Sequence, residues 1–503
     1  MTKHQLPGTL LELLDPIPGE RTAIVLAEDG TRVSYASLRE QARDVADAFA
    51  GLGIARGDRV AMALPNGLPA IVCFLGAAAA GTAAPLNPGY REDEFRFYLG
   101  DTDARLLVLP DDGGEDARRA AGDTVAIVTA SVIDGRVRLS SVVRATADTP
   151  SPDDIALVLH TSGSTGRPKR VPLKQSNLVT SVGNIIETYQ LTEDDVSLCV
   201  MPLFHVHGLM ASLMSTLASG GTVVVPQRFN ALGFWRIVRE HGVTWYSAVP
   251  TMHQLLLARV GKGERIDSSP LRFIRSCSAS LAPETMLAME SAFGVPVLEA
   301  YGMTEASHQM ASNPLPPGDR KPGSVGAGTG VRVAIMDKDG NLLADGEHGE
   351  VVIQGANVID GYENNPEANA ASFTNGWFRT GDQGFLDDNG YLTLIGRLKE
   401  LINRGGEKVS PREIDEVLLA HPAIAEAVAF GVPHRMWGEE VAAAVVLHDE
   451  ASASESDLLA YCRERLAEFK SPKKIHIVQT IPRTATGKLQ RRMVAAAYQG
   501  EQA

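Results

Sequence analysis

The chain has 503 residues, with 47 Lys and Arg against 61 Asp and Glu and a formal net charge of −14. That balance excludes broad, sequence-independent binding to nucleic acid, which needs a basic face. Its 44% hydrophobic and 21% charged residues are ordinary globular usage, and at roughly 150 residues per domain the length predicts about three domain-sized units.

The first residues, MTKHQLPGTLLELLDPIPGE, hold no continuous apolar core with a small-residue cleavage site, so no secretory signal is expected. Tyr35–Leu52 follows a helical period and Arg59–Leu64 reads as a strand. The longest apolar stretch, Ala70–Ala84, lies between Pro69 and Pro85. It is too short to span a bilayer comfortably and reads as a buried helix. Arg105–Leu109, Ile155–Leu159 and Thr222–Pro226 are further strand-like runs, and Phe234–His241 is helical in period. This alternation predicts βαβ units, with helices on both faces of parallel sheets. From about Pro322 to Ile395 the texture changes. Val331–Met336 and Glu350–Gln354 alternate, with turn signals at Asp339-Gly340 and Asn389-Gly390, which predicts a small antiparallel β unit. After Gly396-Arg397 come a glycine pair and a helix start. Ser410 is the expected N-cap, Pro411 suits the first helical position, and Glu413 completes a capping box. Ala427–Val432, Val441–Leu447 and Lys474–Gln479 follow as strands. The fold class is therefore α/β: a large N-terminal domain, residues 1–397, of two βαβ-type layered subdomains plus a small β unit. A small α/β C-terminal domain, residues 398–503, follows.

Cys73, Cys199, Cys277 and Cys462 stand far apart with no CxxC pair. No zinc site or disulfide framework is indicated, and a reducing, cytoplasmic setting is expected. The closing residues, QGEQA, are not a peroxisomal address.

The strongest chemical signal is Thr161-Ser162-Gly163-Ser164-Thr165-Gly166-Arg167-Pro168-Lys169, directly after the strand Ile155–Leu159. Its glycines let backbone N–H groups approach phosphate oxygens, its hydroxyls add donors, and Lys169 adds charge. It is not a Walker A loop, because Gly166 is not followed by Lys-Ser or Lys-Thr.

This loop stands in order with Tyr301-Gly302-Met303-Thr304-Glu305, Gly376-Trp377-Phe378-Arg379-Thr380-Gly381-Asp382, Gly396-Arg397-Leu398-Lys399 and Pro482-Arg483-Thr484-Ala485-Thr486-Gly487-Lys488. Together they resemble the adenylate-forming superfamily of acyl-CoA synthetases, luciferases and peptide-synthetase adenylation domains, over nearly the whole chain. One departure is Arg170, where the loop usually continues with Gly; it is expected to add charge beside the phosphates. The resemblance implies two steps. A carboxylate attacks the α-phosphate of MgATP to give an acyl-adenylate and pyrophosphate, and the thiol of coenzyme A then displaces AMP. Both first-step reactants are anionic, so the site must supply positive charge.

The resemblance also implies roles. Thr161, Ser162, Gly163, Ser164, Thr165, Gly166 and Lys169 hold the β- and γ-phosphates, and Thr304 meets the α-phosphate. Glu305, with Thr165, positions Mg2+, a hard cation that takes oxygen ligands. Glu299, Ala300, Tyr301 and Gly302 border the nucleotide, with Tyr301 against the adenine. Asp382 accepts the ribose hydroxyls and Arg397 supports them. Lys488 is the main catalytic cation and Lys399 the hinge of a mobile C-terminal domain, whose second pose offers the Gly405-Gly406-Glu407 loop. Arg404, Lys470, Lys473 and Lys474 are candidates for the CoA phosphates.

The acyl pocket of the superfamily corresponds here to Met201–Leu209, Ser276–Leu281 and Met303–Gln309. These segments place His205, His207, Ser276, Ser278, Ser280 and His308 where a fatty-acid enzyme needs an apolar tunnel. His205 also matches the aromatic gate. Arg275 is a nearby cation that strand alternation is expected to turn away from the pocket. The segments PLFHVHGL, FIRSCSASLAP, EAYGMTEASHQMASNPLPP and KELINRGGEKVSP resemble oxalate–CoA ligases, which implies a short polar acid, oxalate first. The alternatives are a ligase for malonate, a medium-chain fatty acid or a 4-coumarate-like acid, and a non-catalytic adenylate-binding protein. Loss of Lys488 or Glu305 is expected in the last, and both are present. A peptide-synthetase module normally hands its product to a carrier domain, for which little chain follows Lys488, and no cue marks a luciferin pocket. Acid, ATP and CoA are the expected partners, with neither nucleic acid nor membrane insertion; the oligomeric state is left open.

Overall fold

The structure, a computed structural model, describes residues 7–161, 168–260, 265–266, 270–449, 451–483 and 489–498. Two large sheets form the bulk of the molecule. The nine-stranded sheet runs in the order Ala327–Gly328, His308–Ser312, Val297–Met303, Phe273–Ser276, Trp245–Ala248, Val196–Leu198, Thr222–Val225, Thr22–Leu26, Arg32–Ser34. Its interior pairs are parallel and its edges antiparallel. The seven-stranded sheet has the order Arg136–Leu139, Ala126–Ile133, Ala104–Pro110, Arg59–Met62, Thr82–Pro85, Ile155–Thr161, Lys169–Lys174, again parallel inside.

Local sequence explains the elements between them. The helix Tyr35–Gly51 starts at Ser34, whose side chain accepts from Ser37 N–H at 3.2 Å, and buries Leu38, Ala42, Val45 and Phe49 along one face. The apolar stretch expected as one helix is two elements. A buried helix, Leu68–Ala80, stops at Gly81, and Thr82–Pro85 becomes a strand between Arg59–Met62 and Ile155–Thr161. Gly81 makes the break because a side chain there would meet Asp58 O at 2.6 Å.

The expected β unit is a five-stranded antiparallel sheet of Arg332–Met336, Gly349–Gln354, Phe373–Thr374, Trp377–Leu386 and Leu392–Arg397. A turn, Leu398–Glu400, leads from it to another five-stranded sheet, Glu407–Val409, Ile402–Arg404, Gly438–Leu447, Ile424–His434 and Lys474–Ile477, which has its own core. Gly405 and Gly406, at φ +60° and +98°, form its first hairpin turn.

The helix Pro411–Leu419 begins where Pro411 predicts, but the capping box does not form. The Ser410 hydroxyl instead donates to Ile395 O at 2.6 Å, and Glu413 pairs with Lys470 at 2.8 Å. A tertiary acceptor on the preceding sheet has displaced the local cap. No helix among the described residues is long and apolar enough to cross a membrane.

Candidate active site

Parallel α/β sheets bind ligands beyond the carboxyl ends of their strands. Several of the expected site residues gather at such ends. Thr161 closes Ile155–Thr161; Met201–His207 follows Val196–Leu198; Ser278 follows Phe273–Ser276; Thr304 and Glu305 follow Val297–Met303. Ser162, Gly163, Ser164, Thr165, Gly166 and Lys488 lie outside the described residues.

On the nucleotide side, Glu305 is 6% exposed. Its Oε1 accepts from Tyr362 Oη at 2.8 Å and Thr161 Oγ1 at 3.4 Å. The Lys169 ammonium sits 4.3 Å from the centroid of the Tyr362 ring. Burial pulls the Lys169 pKa down, Glu305 opposes that shift, and the Lys399 charge adds to it. Lys399 therefore stands within electrostatic reach of the phosphate-loop lysine. Tyr362 was not anticipated; the aromatic after Gly361, between Glu305 and the Asn-Pro-Glu helix start, was the available signal.

A second cluster joins Tyr301, Asp382 and Arg397. The Tyr301 phenol donates to Asp382 Oδ2, and Arg397 Nε reaches Asp382 Oδ1 at 2.6 Å. A carboxylate offers about four lone-pair positions, so Asp382 retains acceptor capacity. Ala300 and Glu299 are buried in the strand below. Glu299 Oε1 accepts from Leu281 N–H at 2.9 Å and its Oε2 has no hydrogen-bond partner, while burial pushes its pKa up to about 7. Gly302 is needed for close approach: a Cβ there would lie 2.2 Å from His308 O.

Arg170 pairs with two carboxylates. Its neighbour Lys169 faces Tyr362, and strand alternation turns the Arg170 guanidinium to Asp101 and Glu363, at 3.5 and 3.4 Å. The CoA candidates are also paired: Arg404 with Glu440, Lys470 with Glu413 and Lys474 with Glu455. Lys473 stands in the field of Glu440.

The acyl side is polar and layered. His205 is half-buried, and its Nδ1 accepts from His207 N–H at 3.1 Å. His207 is fully buried, with Nδ1 2.9 Å from Ser278 Oγ and Nε2 2.6 Å from Ser247 Oγ. The ring of His308, itself 1% exposed, stacks on that of His207 with centroids 4.9 Å apart. Ser278 is half-buried and Ser280 exposed. Ser278, Ser307 and His308 have φ of +73°, +53° and +107°. Left-handed backbone at non-glycine residues is strained and clusters at functional sites.

Arg275 corrects the expectation from alternation. It is fully buried on the side of its strand that faces His207, 3.4 Å from Nε2. Ser247, Tyr189 and Gln309, all missed in the sequence, hold it there through hydrogen bonds of 2.9, 2.8 and 3.1 Å.

The sequence profile of AMP-binding enzymes matches residues 17–363, and that of the AMP-binding enzyme C-terminal domain matches residues 413–488. The chain belongs to the AMP-binding enzyme family. It is 47% identical to an oxalate–CoA ligase of Arabidopsis thaliana, over 98% of this chain and 99% of that one. An oxalate–CoA ligase of Saccharomyces cerevisiae is 43% identical, over 95% of each chain. Among solved structures, ATP-bound MatB from Rhodopseudomonas palustris superposes with a TM-score of 0.90 at 32% identity, covering 98% of this chain and 99% of that one. The large mixed α/β part and small C-terminal unit of this AMP-binding enzyme are the fold of that protein.

Proposed function

We propose that this AMP-binding enzyme is an oxalate–CoA ligase of the cytoplasm. The observation that carries the acid's identity is the acyl pocket. Ser278, His207, His308 and the buried Arg275 occupy the place of an apolar lining. Oxalate has two carboxylates and no apolar part, so its binding must come from donors and charge rather than hydrophobic burial. The relatives named above as oxalate–CoA ligases support the same reading.

One oxalate carboxylate oxygen attacks the α-phosphorus of ATP, the bond to pyrophosphate breaks, and oxalyl-AMP forms. The CoA thiolate then attacks the activated carbonyl, and AMP leaves. Lys169 and Lys488 offset the negative charge that gathers in the first step, and Thr304 donates to the α-phosphate. Asp382, braced by Tyr301 and Arg397, takes the ribose hydroxyls. Glu305 fits a magnesium ion: two donors crowd its Oε1, and Oε2 has none among the described residues. No cluster of three or more His, Cys, Asp or Glu side chains exists among the described residues. That suits an ion held by one carboxylate plus phosphate oxygens. When bound, magnesium neutralises phosphate charge.

The unit up to Arg397 carries the nucleotide and acid sites. The unit from Leu398 onward turns about Lys399, bringing Lys488 for the first step and the Gly405-Gly406-Glu407 turn for the second. The direct test is product identity. Purified protein given oxalate, ATP, Mg2+ and CoA yields oxalyl-CoA and AMP by mass spectrometry; AMP formation that is independent of oxalate contradicts the assignment.

A further inference from the structure

We propose that Arg275 is a positioning and specificity-determining residue whose buried, carboxylate-free guanidinium charges the acyl pocket through Ser247 and His207 and so selects acids that carry a second anionic group. The inference deepens the functional reading above and rests on it only for naming that acid as oxalate.

Arg275 differs from the other sequestered arginines of this chain. Arg170, Arg379, Arg404, Arg412 and Arg491 have side chains 15%, 18%, 16%, 12% and 19% exposed, and each has a carboxylate within 3.4 Å. Arg275 is 0% exposed, yet its partners are the Tyr189 hydroxyl, the Ser247 hydroxyl, the Gln309 amide oxygen, the His207 ring and the Cys277 thiol. None is a carboxylate. Asp195, the buried carboxylate in the adjoining part of the sheet, is taken by Arg272. A buried ion without a counter-ion is costly, and a fold that keeps one has left the counter-charge to something else.

Donor chemistry fixes the direction of the chain that leads from it. Guanidinium has only donors, so Ser247 Oγ accepts from Arg275 Nη1 and turns its own hydrogen to His207 Nε2. Nε2 therefore accepts, and the ring proton sits on Nδ1, which donates to Ser278 Oγ at 2.9 Å. Ser278, turned onto the ring by its left-handed backbone, is left with its hydroxyl hydrogen free to donate to a ligand. Every donor in the sequence Arg275, Ser247, His207, Ser278 points the same way, and its outer end lies at the half-buried rim of the pocket. A second carboxylate placed there accepts from Ser278 and supplies the charge that Arg275 lacks.

The test compares wild type, Arg275→Met, Arg275→Lys and Ser247→Ala with oxalate and with oxamate, which has the same shape but one carboxylate replaced by an amide. Acid-dependent pyrophosphate release gives kcat and KM for each acid; the ATP KM and thermal unfolding are measured alongside. In Arg275→Met the oxalate KM is expected to rise about a hundredfold, the scale for removing one partner of a buried charge interaction. Oxamate and ATP values should hold, so the preference for oxalate collapses. Arg275→Lys restores part of that preference, and Ser247→Ala, which keeps the charge but breaks the relay, raises the oxalate KM about tenfold. An unchanged oxalate-to-oxamate ratio in Ser247→Ala overturns the relay, even if Arg275→Met fails to fold. An unchanged ratio in a folded Arg275→Met overturns the role of the charge. If the wild type instead selects another doubly anionic acid over its singly charged analogue, the oxalate reading falls. Loss of that selectivity in Arg275→Met then still upholds the role of Arg275.

Discussion

Asp382 and Arg397 stand directly opposite each other on neighbouring antiparallel strands, and their side chains pair at 2.6 Å. Strand register thus sets a carboxylate against its brace without any loop to hold them, and the pair is proposed to serve the nucleotide. Asp382→Ala should weaken ATP binding by about 1.5–3 kcal/mol, the range for a hydrogen bond to a charged group. Titration calorimetry reads this directly, and an unchanged affinity places Asp382 outside the nucleotide site.

Lys488→Ala should abolish oxalate-dependent pyrophosphate release while largely sparing thioester formation from supplied oxalyl-AMP. The two half-reactions are assayed separately. An equal fall in both contradicts a role confined to the first step.

Lys399→Pro should give the reverse pattern. Proline fixes φ and removes a donor in the short turn between the two five-stranded sheets. Adenylate formation should persist and CoA transfer slow. Full thioester activity in this variant would count against rotation about the turn.

Glu299 predicts a pH dependence of stability. Its carboxyl ordinarily titrates at 4.5, and burial in the fold raises this to about 7. Between those values the folded state binds the extra proton. The contribution is therefore fully present below 4.5, and it is lost as pH rises to about 7. Glu299→Gln keeps an acceptor for Leu281 N–H and removes the ionisable group. Its stability relative to wild type should rise between about pH 5 and pH 8, by on the order of 3 kcal/mol at about 1.36 kcal/mol per unit. Denaturant unfolding at the two pH values measures this, and a flat difference contradicts the buried carboxylate, which Arg412 and Leu281 N–H offset only in part.

The proposed nucleotide side could be read from the sequence because its residues are carried by contiguous motifs, and those that the structure describes lie on strands or at strand ends. Asp382 and Arg397 belong to separate motifs, yet each motif marks its own strand. The acyl side was less legible. Alternation assigns Arg275 to one face of its strand but cannot say which face meets His207, since both faces of an interior parallel strand are buried. The left-handed turn at Ser278, which brings its hydroxyl onto His207, has no glycine to announce it. Elsewhere, tertiary partners overrode sound local signals. Ser410 has the right position for a cap but donates to Ile395 O. Ala70–Ala84 reads as one apolar run because alanines flank the break on both sides, and the stop at Gly81 is set by a close approach to Asp58 O.

The His308 ring stacks on His207, and we propose that the pair lines the acyl pocket. His308→Ala should lower oxalate turnover by an amount equivalent to about 2–5 kcal/mol, the range for truncating a buried charged partner. ATP affinity should barely change, because the proposed nucleotide contacts lie with Asp382 and Glu305. Full oxalate activity in the variant argues against a role for this ring in holding the acid.

We propose that a charged, polar acyl pocket makes this enzyme an activator of oxalate. The most direct measurement is ATP- and CoA-dependent pyrophosphate release across oxalate, malonate, acetate, octanoate and 4-coumarate at equal concentration. Oxalate should give the highest kcat/KM and acetate, which lacks the second carboxylate, a poor one. A preference for octanoate or 4-coumarate over oxalate would contradict the account of the pocket while leaving the AMP-forming ligase chemistry in place.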